Sequence, residues 1–376
     1  MNPTLCLNMI VKNEAHVIER CIASVRPHIH HWVIVDTGST DGTQELIKRL
    51  LEGIPGDLHQ RPWRNFGHNR TEGLQLARGT AEYLFNIDAD EVLVAPLGFR
   101  FSPLGADAYS LVHHEGTNRY WRLGLFADRL SWRYEGVLHE YAVCDTPFTQ
   151  LQLVGPHIAG YYDGGRSTIG TVEKYAADAR VLEQALVTEP GNVRYVFYLA
   201  QSYRDSRQTG KAIETYRRRA RMGGWAEEVW YSLYQVAVLS ERDRADESVV
   251  ITRYLDAFDY RPSRAEPLGQ LARYCRERKR FASAQLFAGR GAQLARPDDT
   301  LFLDASFYEW RCLDEYGVSS YWVGDYAACA QATEALLASP ALPAAERPRI
   351  IANLNFARAK LGVPEYREPA ADTSVR

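Results

Sequence analysis

Three carboxylates follow an apolar run in the segment YLFNIDADEVLV, residues 83–94. At the end of a buried strand, Asp88, Asp90 and Glu91 would repel one another unless a cation or a group of donors compensates them. Two carboxylates spaced as Asp-x-Asp can share a divalent ion, and oxygen ligands favour magnesium or manganese. A solvated turn is the usual reading of an isolated Asp-x-Asp. The strand end favours a metal site, with the compensating charge supplied by the metal and Glu91 in a supporting position.

Two further segments place polar side chains beside turns. In VIVDTGSTDGT (33–43), Asp36 ends an apolar run and could accept from a base N–H or a ribose hydroxyl, although Asp41-Gly42 could simply form a turn. In RPWRNFGHNRTEGLQLA (61–77), Arg64, His68, Asn69 and Arg70 precede a helix and suit either a phosphate or a solvated helix start. The sequence lacks G-x-G-x-x-G and G-K-[ST], which disfavours a dinucleotide fold and a P-loop.

A fourth segment, WRYEGVLHEYAV (132–143), combines possible bases with a possible metal ligand. As a regular strand it would present Glu135 and His139 on one face and Glu140 on the other. A glutamate could act as a general base and a histidine could complete a metal shell, although a lone histidine is more often structural. His157 is a rival ligand.

The elements that would position these residues alternate between strand and helix over residues 1–160. Apolar runs at 5–11, 31–36 and 81–88 predict buried strands, and helical spacing follows the first two, with Asp41 or Thr43 as the second N-cap. This order predicts an α/β domain with a mostly parallel sheet. Ligands bind such sheets at the carboxyl ends of the strands. One rim would then carry Lys12, Asn13, Glu14, Asp36, Thr37, Asp88 and Asp90.

From residue 168 the pattern becomes helical, with small and large apolar residues alternating in units near 34 residues. The segments 192–220 and 265–297 show it most clearly, with a partial copy at 324–340 and a degenerate copy at 230–262. We predict an all-α solenoid of tetratricopeptide-like repeats over 168–362, a linker at 159–168 and a disordered tail at 363–376.

Composition excludes several classes of protein. A formal net charge of −3 over 376 residues argues against a nucleic-acid binder. Six scattered cysteines without a C-x-x-C pair argue against a disulfide framework or zinc site and favour a reducing, cytoplasmic location. We expect neither a signal peptide nor a transmembrane segment.

Taken in order, LNMIVKNEAHVIERCIASV, VIVDTGSTDGT, RPWRNFGHNR and FNIDADE resemble the successive motifs of family 2 glycosyltransferases of the GT-A fold. The likeness is strong over residues 5–93 and weaker over 130–162. RPWRNFGHNR and EGVLHEY are similar to bacterial enzymes of the lipopolysaccharide-core glucosyltransferase type. The appended repeats resemble the branch that glycosylates bacteriocins on cysteine or serine.

This resemblance implies roles for individual residues. Asp36 would bind uracil, Arg70 would face the base or pyrophosphate, Asp88 would contact the ribose and Asp90 the metal, with His139 or His157 as a further ligand. The implied nucleotide-sugar site comprises Val11, Asn13, Glu14, Asp36, Gly38, Asn69, Arg70, Asp88 and Ala89.

Inversion of the sugar would require a carboxylate base. The chain departs from many family members in lacking a clear Glu-Asp pair downstream, so Glu140 is favoured as the base while Glu135 and Glu115 compete.

The sequence thus predicts a metal-dependent inverting hexosyltransferase that uses Mg²⁺ or Mn²⁺ and a nucleotide-diphospho-sugar, with UDP as the expected nucleotide. Its acceptor would be a peptide, protein or surface glycan held by the repeats, and a homo-oligomer is compatible with the sequence. A nucleotidyltransferase is the first alternative, but VKNEAHV lacks the glycine-rich loop that such an enzyme requires. The second is a repeat scaffold with a degenerate transferase domain, against which the intact Asp-x-Asp argues.

Overall fold

The computed structural model describes residues 3–116, 118–161, 163–168 and 170–368. Its internal contacts divide the chain into two compact units, Met1–Gln208 and Thr209–Arg376. The first unit is built around an eight-stranded sheet, and the described part of the second is helical.

Four parallel strands form one side of the sheet, in the order β3-β2-β1-β4. Alternate residues of β1 face two different clusters of core side chains, since Leu5, Leu7 and Met9 belong to one and Cys6 to the other. Burial on both faces explains the continuous apolar runs and confirms the predicted strands. The strands are Leu5–Val11, His31–Asp36, Gly56–Gln60 and Tyr83–Asn86, and α1 to α3, which connect them, are Ile18–Val25, Thr43–Leu50 and Phe66–Leu76.

The other side of the sheet is mixed and continues in the order β4-β7-β6-β10-β5. Strand β7 runs antiparallel to both β4 and β6, and β5 runs antiparallel to β10. The predicted α/β class is therefore correct, with antiparallel pairs added beyond β4. The strands are β5 Glu91–Val94, β6 Ala108–Glu115, β7 Asn118–Ala127 and β10 Gln150–Gly160.

Residues 132–143 do not form the regular strand predicted for them. They form a separate antiparallel hairpin of β8, Trp132–Glu135, and β9, Tyr141–Cys144. The turn contains two residues with positive φ, Gly136 at 110° and His139 at 52°, and the glycine accepts that conformation without strain. The predicted division of Glu135, His139 and Glu140 between two faces of one strand is therefore wrong.

The start of α2 also differs from the prediction. Its N-cap is Gly42 rather than Asp41 or Thr43. The Asp41 carboxylate instead accepts from the backbone N–H and hydroxyl of Thr43 and so closes the turn before the helix.

Described residues of the predicted linker at 159–168 belong to the sheet or bond to the loops at its edge. Strand β10 continues to Gly160. The N–H groups of Gly164 and Gly165 donate to the carboxylates of Asp90 and Glu14, at 3.3 Å and 3.0 Å. A Cβ on Gly165 would lie 2.7 Å from a carbonyl oxygen of Asn13, so the close approach requires glycine.

Two helices that the sequence suggested for the repeat domain belong to the first compact unit. They are α4, Thr171–Thr188, and α5, Val193–Asp205. Contacts such as that of Arg194 with the carbonyl oxygen of His139, at 2.8 Å, connect them to the hairpin. The compact boundary accordingly lies at Gln208 rather than near residue 168.

The helices of the second unit pack successively, as helical repeats require. Ala272, Ala284 and Ala288 are fully buried and allow close contact between α9 and α10, which confirms the small-and-large pattern. The helices α6 to α13 are Thr209–Arg221, Ala226–Arg242, Glu247–Tyr260, Glu266–Glu277, Phe281–Ala292, Cys312–Val323, Tyr326–Ala338 and Arg347–Leu361.

The first residues of the predicted disordered tail are ordered. The N–H of Tyr366 donates to Oδ1 of Asn355 at 2.7 Å, and its ring packs against the core of α12 and α13. Residues 369–376 lie outside the described part of the chain. None of the described helices has the length and apolar character needed to cross a bilayer.

Candidate active site

The loops that follow β1 and β2 are joined by side-chain hydrogen bonds. The N–H of Asn13 donates to Oγ of Ser39 at 2.9 Å, and Oδ1 of Asn13 accepts from the N–H of Thr40 at 2.8 Å. The N–H of Glu14 donates to Oγ1 of Thr43 at 2.9 Å. These bonds hold two strand ends of the predicted rim together before any ligand binds.

Asp36 ends β2 with one carboxylate oxygen satisfied and the other free. Oδ1 accepts from the N–H groups of Gly38 and Ser39, at 2.9 Å and 3.0 Å, and from the Gln44 side chain. Gly38 has φ of 108°, which lets the loop turn back onto the carboxylate. Oδ2 is buried and has no hydrogen-bond partner among the described residues. A buried oxygen without a partner marks a position where a donor from a ligand is expected.

A cavity of about 380 Å³ opens beside these loops. Its volume lies within the range of small-molecule sites. Trp63 and Phe66 line it and contact each other edge to face, with ring centres 4.7 Å apart. The Arg166 guanidinium lies 4.9 Å from the Phe66 ring centre. Of the predicted nucleotide residues, Val11, Asn13 and Glu14 line the cavity, as do Ala177, Asp178 and Val181 from α4.

Asn69 has a positioning role in this structure. Its Oδ1 accepts from the N–H of Arg64 at 3.0 Å, and its Nδ2 donates to the carbonyl of Pro62 at 3.1 Å. The buried side chain therefore holds the loop that carries Trp63, while Ala89 lies in the protein core and borders a second cavity.

Arg70 is buried, and each of its three guanidinium nitrogens donates to a protein oxygen. Nε donates to Glu140 at 2.7 Å, Nη1 to Asn86 at 3.0 Å and Nη2 to Asp88 at 2.6 Å. The side chain thus connects α3, the end of β4 and the β8–β9 turn. It faces protein carboxylates where the sequence suggested a nucleotide base or pyrophosphate.

A second arginine, Arg122 from β7, completes the compensation of Asp88 and Glu91. It lies 2.6 Å from Glu91 and 3.5 Å from Asp88. Burial opposes ionisation of Asp88, but the positive charges of Arg70 and Arg122 outweigh it and lower the pKa of Asp88 to about 2. The prediction that all the compensating charge comes from a metal is therefore wrong for these two carboxylates.

Asp90 differs from its neighbours because it forms no ion pair with the described residues. Among the described residues, the N–H of Gly164 is the one hydrogen-bond donor to its Oδ2, at a long distance of 3.3 Å. Burial and the negative charges of Asp88 and Glu91 raise the pKa of Asp90. Burial likewise raises the pKa of the neighbouring Glu14 to about 7, assisted by the charge of Asp90 and opposed by a hydrogen bond from Gly165. This local excess of negative charge fits a divalent cation.

The two histidines predicted as metal ligands lie elsewhere. His139 stacks on Tyr198, with ring centres 3.8 Å apart, and His157 stacks on His114 at 4.2 Å. Neither borders the cavity of about 260 Å³ that Asp90 lines. The structure therefore does not bring them to Asp90.

The three candidate bases are also separated. Glu140 lines a cavity of about 750 Å³ together with Arg70 and Asp88. Glu115 borders the smaller cavity with Asp90. Glu135 pairs with Arg133 on the hairpin, and its side chain is 44% exposed.

Sequence reasoning missed three basic residues that border the cavities around Asp88. They are Arg122 on β7, Arg166 in the segment after β10, and Lys174 on α4. Arg166 is ion-paired with Asp178. The adjacent glycines of Gly164-Gly165-Arg166 were a usable signal, because a glycine pair followed by arginine suits close approach to an anion.

Comparison with known proteins assigns this part of the chain to a family. Residues 6–94 match the family model of glycosyl transferase family 2. The matched region begins in β1 and ends in β5, and it includes Asp36, Arg70, Asp88 and Asp90. The N-terminal part of the chain therefore contains a family 2 glycosyltransferase domain.

Individual relatives agree with this assignment and with the helical repeats. The chain is 31% identical over 91 residues to the SPbeta prophage-derived glycosyltransferase SunS of Bacillus subtilis, covering 24% of this chain and 21% of that protein. It is 36% identical over 96 residues to the lipopolysaccharide core biosynthesis glycosyltransferase LpsC of Rhizobium meliloti, covering 25% and 34%.

A longer match, which reaches into the helical part of the chain, is with a TPR repeat-containing protein of Synechococcus elongatus. The two are 26% identical over 271 residues, covering 67% of this chain and 64% of that protein. The chain thus spans less than two thirds of the length of these relatives.

Replacing Arg70 by methionine tests its role in holding the site. Arg70→Met leaves Glu140 without an ion-pair partner among the described residues and leaves Asp88 with Arg122 alone, at 3.5 Å. We therefore expect the free energy of unfolding at pH 7 to fall by about 3–5 kcal/mol. The folded pKa of Asp88 is depressed to about 2. The Asp88 carboxylate therefore contributes fully to the free energy of unfolding above its unfolded pKa of about 3.9, and this contribution is lost as the pH falls through 2. The difference in free energy of unfolding between wild type and variant should narrow below about pH 4.

Urea unfolding between pH 7 and pH 3 provides the measurement. Arg61→Met is the control, since Arg61 pairs with Glu72 at the surface and its loss should cost about 0–1 kcal/mol. Equal losses in the two variants, or a difference independent of pH, would contradict the assigned role.

Proposed function

We propose that this protein is a metal-dependent inverting glycosyltransferase that transfers a hexose from a UDP-sugar to an acceptor nucleophile. The observation that carries the proposal is the carboxylate of Asp90, which forms no ion pair with the described residues, in a run of acids whose other members are paired with arginine. The family 2 domain and the relatives named as glycosyltransferases support it.

The cavity beside β1 and β2 suits the nucleotide. The rings of Trp63 and Phe66 provide flat apolar surface for a base, and the free oxygen of Asp36 is an acceptor for a base N–H. Asp36 is 1% exposed, and the next residue, Thr37, lines the cavity. A small displacement of the loop would therefore bring the base of the nucleotide-sugar within hydrogen-bond distance of Asp36.

The diphosphate would lie toward Asp90. A Mg²⁺ or Mn²⁺ ion on Asp90 would offset the charge that develops on the departing diphosphate. Arg166 and Lys174 border the same cavity and add positive charge. Arg166 is held by Asp178, and exchange of that partner for a phosphate oxygen would keep the guanidinium paired.

Glu140 is proposed as the base. The Arg70 guanidinium donates to both the Glu140 and the Asp88 carboxylates, and both residues line the 750 Å³ cavity. In a single displacement, Glu140 takes the proton of the acceptor group while the acceptor atom bonds to the anomeric carbon. The bond from that carbon to the diphosphate oxygen breaks, and UDP leaves with the electron pair.

This larger cavity is also the proposed acceptor site. The aromatic side chains of Trp121, Tyr134, Tyr141 and Tyr175 line it, and such rings can pack against a sugar or a peptide side chain. A surface-glycan acceptor would agree with the lipopolysaccharide role in the name of LpsC. A peptide or protein acceptor held by the helical repeats is the alternative.

The variant Asp90→Ala should lose at least 100-fold in transfer rate while remaining folded, because the cation would lose its protein ligand. A UDP-release assay with a panel of UDP-sugars, in Mg²⁺ or Mn²⁺, measures this, with circular dichroism as the folding check. Asp57→Ala, on the exposed face of β3, is the matched control. Normal turnover of Asp90→Ala would refute the assignment. Release of pyrophosphate from UTP and a sugar 1-phosphate, with no UDP released from the UDP-sugars, would indicate a nucleotidyltransferase.

The base is tested by Glu140→Gln, which should reduce the turnover number by about 10²–10⁴-fold with little change in affinity for UDP. Glu135→Gln, on the same hairpin but paired at the surface, should retain normal turnover. If Glu140→Gln is fully active, the role passes to Glu115, which borders the cavity of Asp90.

A further inference from the structure

A histidine and two glutamates meet behind the Asp-x-Asp segment. His113 and Glu115 lie two residues apart on β6, and Glu91 begins β5. Residues two apart in a strand point to the same face of the sheet. Strand β10 runs between β6 and β5, and its Gly160 lies opposite Glu91. A Cβ on Gly160 would lie 3.0 Å from Cγ of Glu115, so glycine leaves space for the three side chains to meet.

The environment of His113 indicates that a ligand belongs in this cluster. The ring is 1% exposed and stacks on Tyr120 with centres 5.3 Å apart. Its Nδ1 lies 3.3 Å from Oε1 of Glu91 but makes no hydrogen bond with any described residue. Among the described residues, His113 thus offers a buried ring nitrogen close to a carboxylate and without a hydrogen bond, and a metal ion would satisfy it.

The spacing of the donor atoms fits a single ion. One ligand atom from each of Glu91, His113 and Glu115 lies within 4.8 Å of the others. Ligands held about 2.0–2.2 Å from one ion are separated by at most about 4.4 Å. A small rotation of the side chain of Glu115, the most exposed of the three, would bring its carboxylate within that separation of the other two ligands.

We propose that Glu91, His113 and Glu115 bind a divalent transition-metal ion. An imidazole nitrogen with two carboxylates favours Mn²⁺, Fe²⁺ or Zn²⁺ over Mg²⁺ and Ca²⁺, which prefer oxygen ligands alone. The site is separate from Asp90, which would complete its own shell with a diphosphate. It does not depend on the proposed transferase activity.

The site would stabilise the Asp-x-Asp segment. Oε2 of Glu91 accepts from the N–H of Asp88 at 2.9 Å, and Nη2 of Arg122 donates to both oxygens of Glu91, at 2.8 Å and 2.6 Å. An ion on Glu91 would therefore fix the start of β5 and, through that hydrogen bond, the position of Asp88. Arg122 would keep the carboxylates partly neutralised when the ion is absent.

Metal titration of the chelator-treated full-length chain, without nucleotide or acceptor, tests this proposal. Binding of Co²⁺ is followed by its visible absorption bands, and binding of Mn²⁺ by loss of the free-ion signal in electron paramagnetic resonance. We expect one ion per chain and a melting temperature that rises with metal concentration. His113→Gln and Glu115→Gln should weaken binding at least tenfold and abolish the thermal response.

Two controls separate this site from its neighbours. Asp90→Asn tests the Asp-x-Asp segment, and His114→Gln tests the adjacent histidine on the opposite face of β6. Both should bind the ion as the wild type does. Because Glu115 is less buried than His113, Glu115→Gln supplies the test if His113→Gln does not fold.

Three results would overturn the proposal. Absence of Co²⁺ and Mn²⁺ binding by the folded wild type would show that the cluster is an ion-pair network alone. Binding lost in Asp90→Asn but retained in Glu115→Gln would place the ion on the Asp-x-Asp segment. Loss in both would show one shared site instead of a separate one.

Discussion

The candidate site depends on one buried guanidinium. Arg70 is held between Asp88, Asn86 and Glu140, and removing any one of these partners would leave a charge or a donor unsatisfied away from water. The arrangement therefore fixes the end of β4 relative to the β8–β9 turn without a ligand. Glu140 and Asp88, which come from distant parts of the sequence, share one cation and so face the same cavity.

The acidic segment contains carboxylates in two electrostatic states. Asp88 and Glu91 are neutralised by Arg70 and Arg122 and form part of the framework. Asp90 has no such partner among the described residues and lies where its charge is costly. A cation that arrives with a diphosphate would relieve that cost, and departure of the diphosphate would restore it. This difference between neighbouring acids makes binding and release of an anionic donor chemically reasonable.

The sequence predicted what short-range patterns encode. Apolar runs identified β1, β2 and β4, and spaced alanines such as Ala272 identified the repeats, because burial imposes those patterns locally. Arg122 and His113 were missed, since only the insertion of β7 and β6 beside β4 brings them to the acids. The prediction that His139 or His157 lies beside Asp90 was wrong for the same reason. His139 lies in a turn and His157 in a distant strand, and the periodicity of a sequence does not show which strands are neighbours.

Calorimetric titration of UDP into the full-length chain, in Mg²⁺ or Mn²⁺ and again in chelator, tests the central claim most directly. If Asp90 holds the cation, the metal strengthens UDP binding at least tenfold in the wild type and has little effect in Asp90→Ala, where that carboxylate is gone. Absence of UDP binding at millimolar concentration would contradict it and favour a non-catalytic repeat scaffold. Equal enhancement by the metal in both proteins would also contradict it, because the ion would then be held elsewhere.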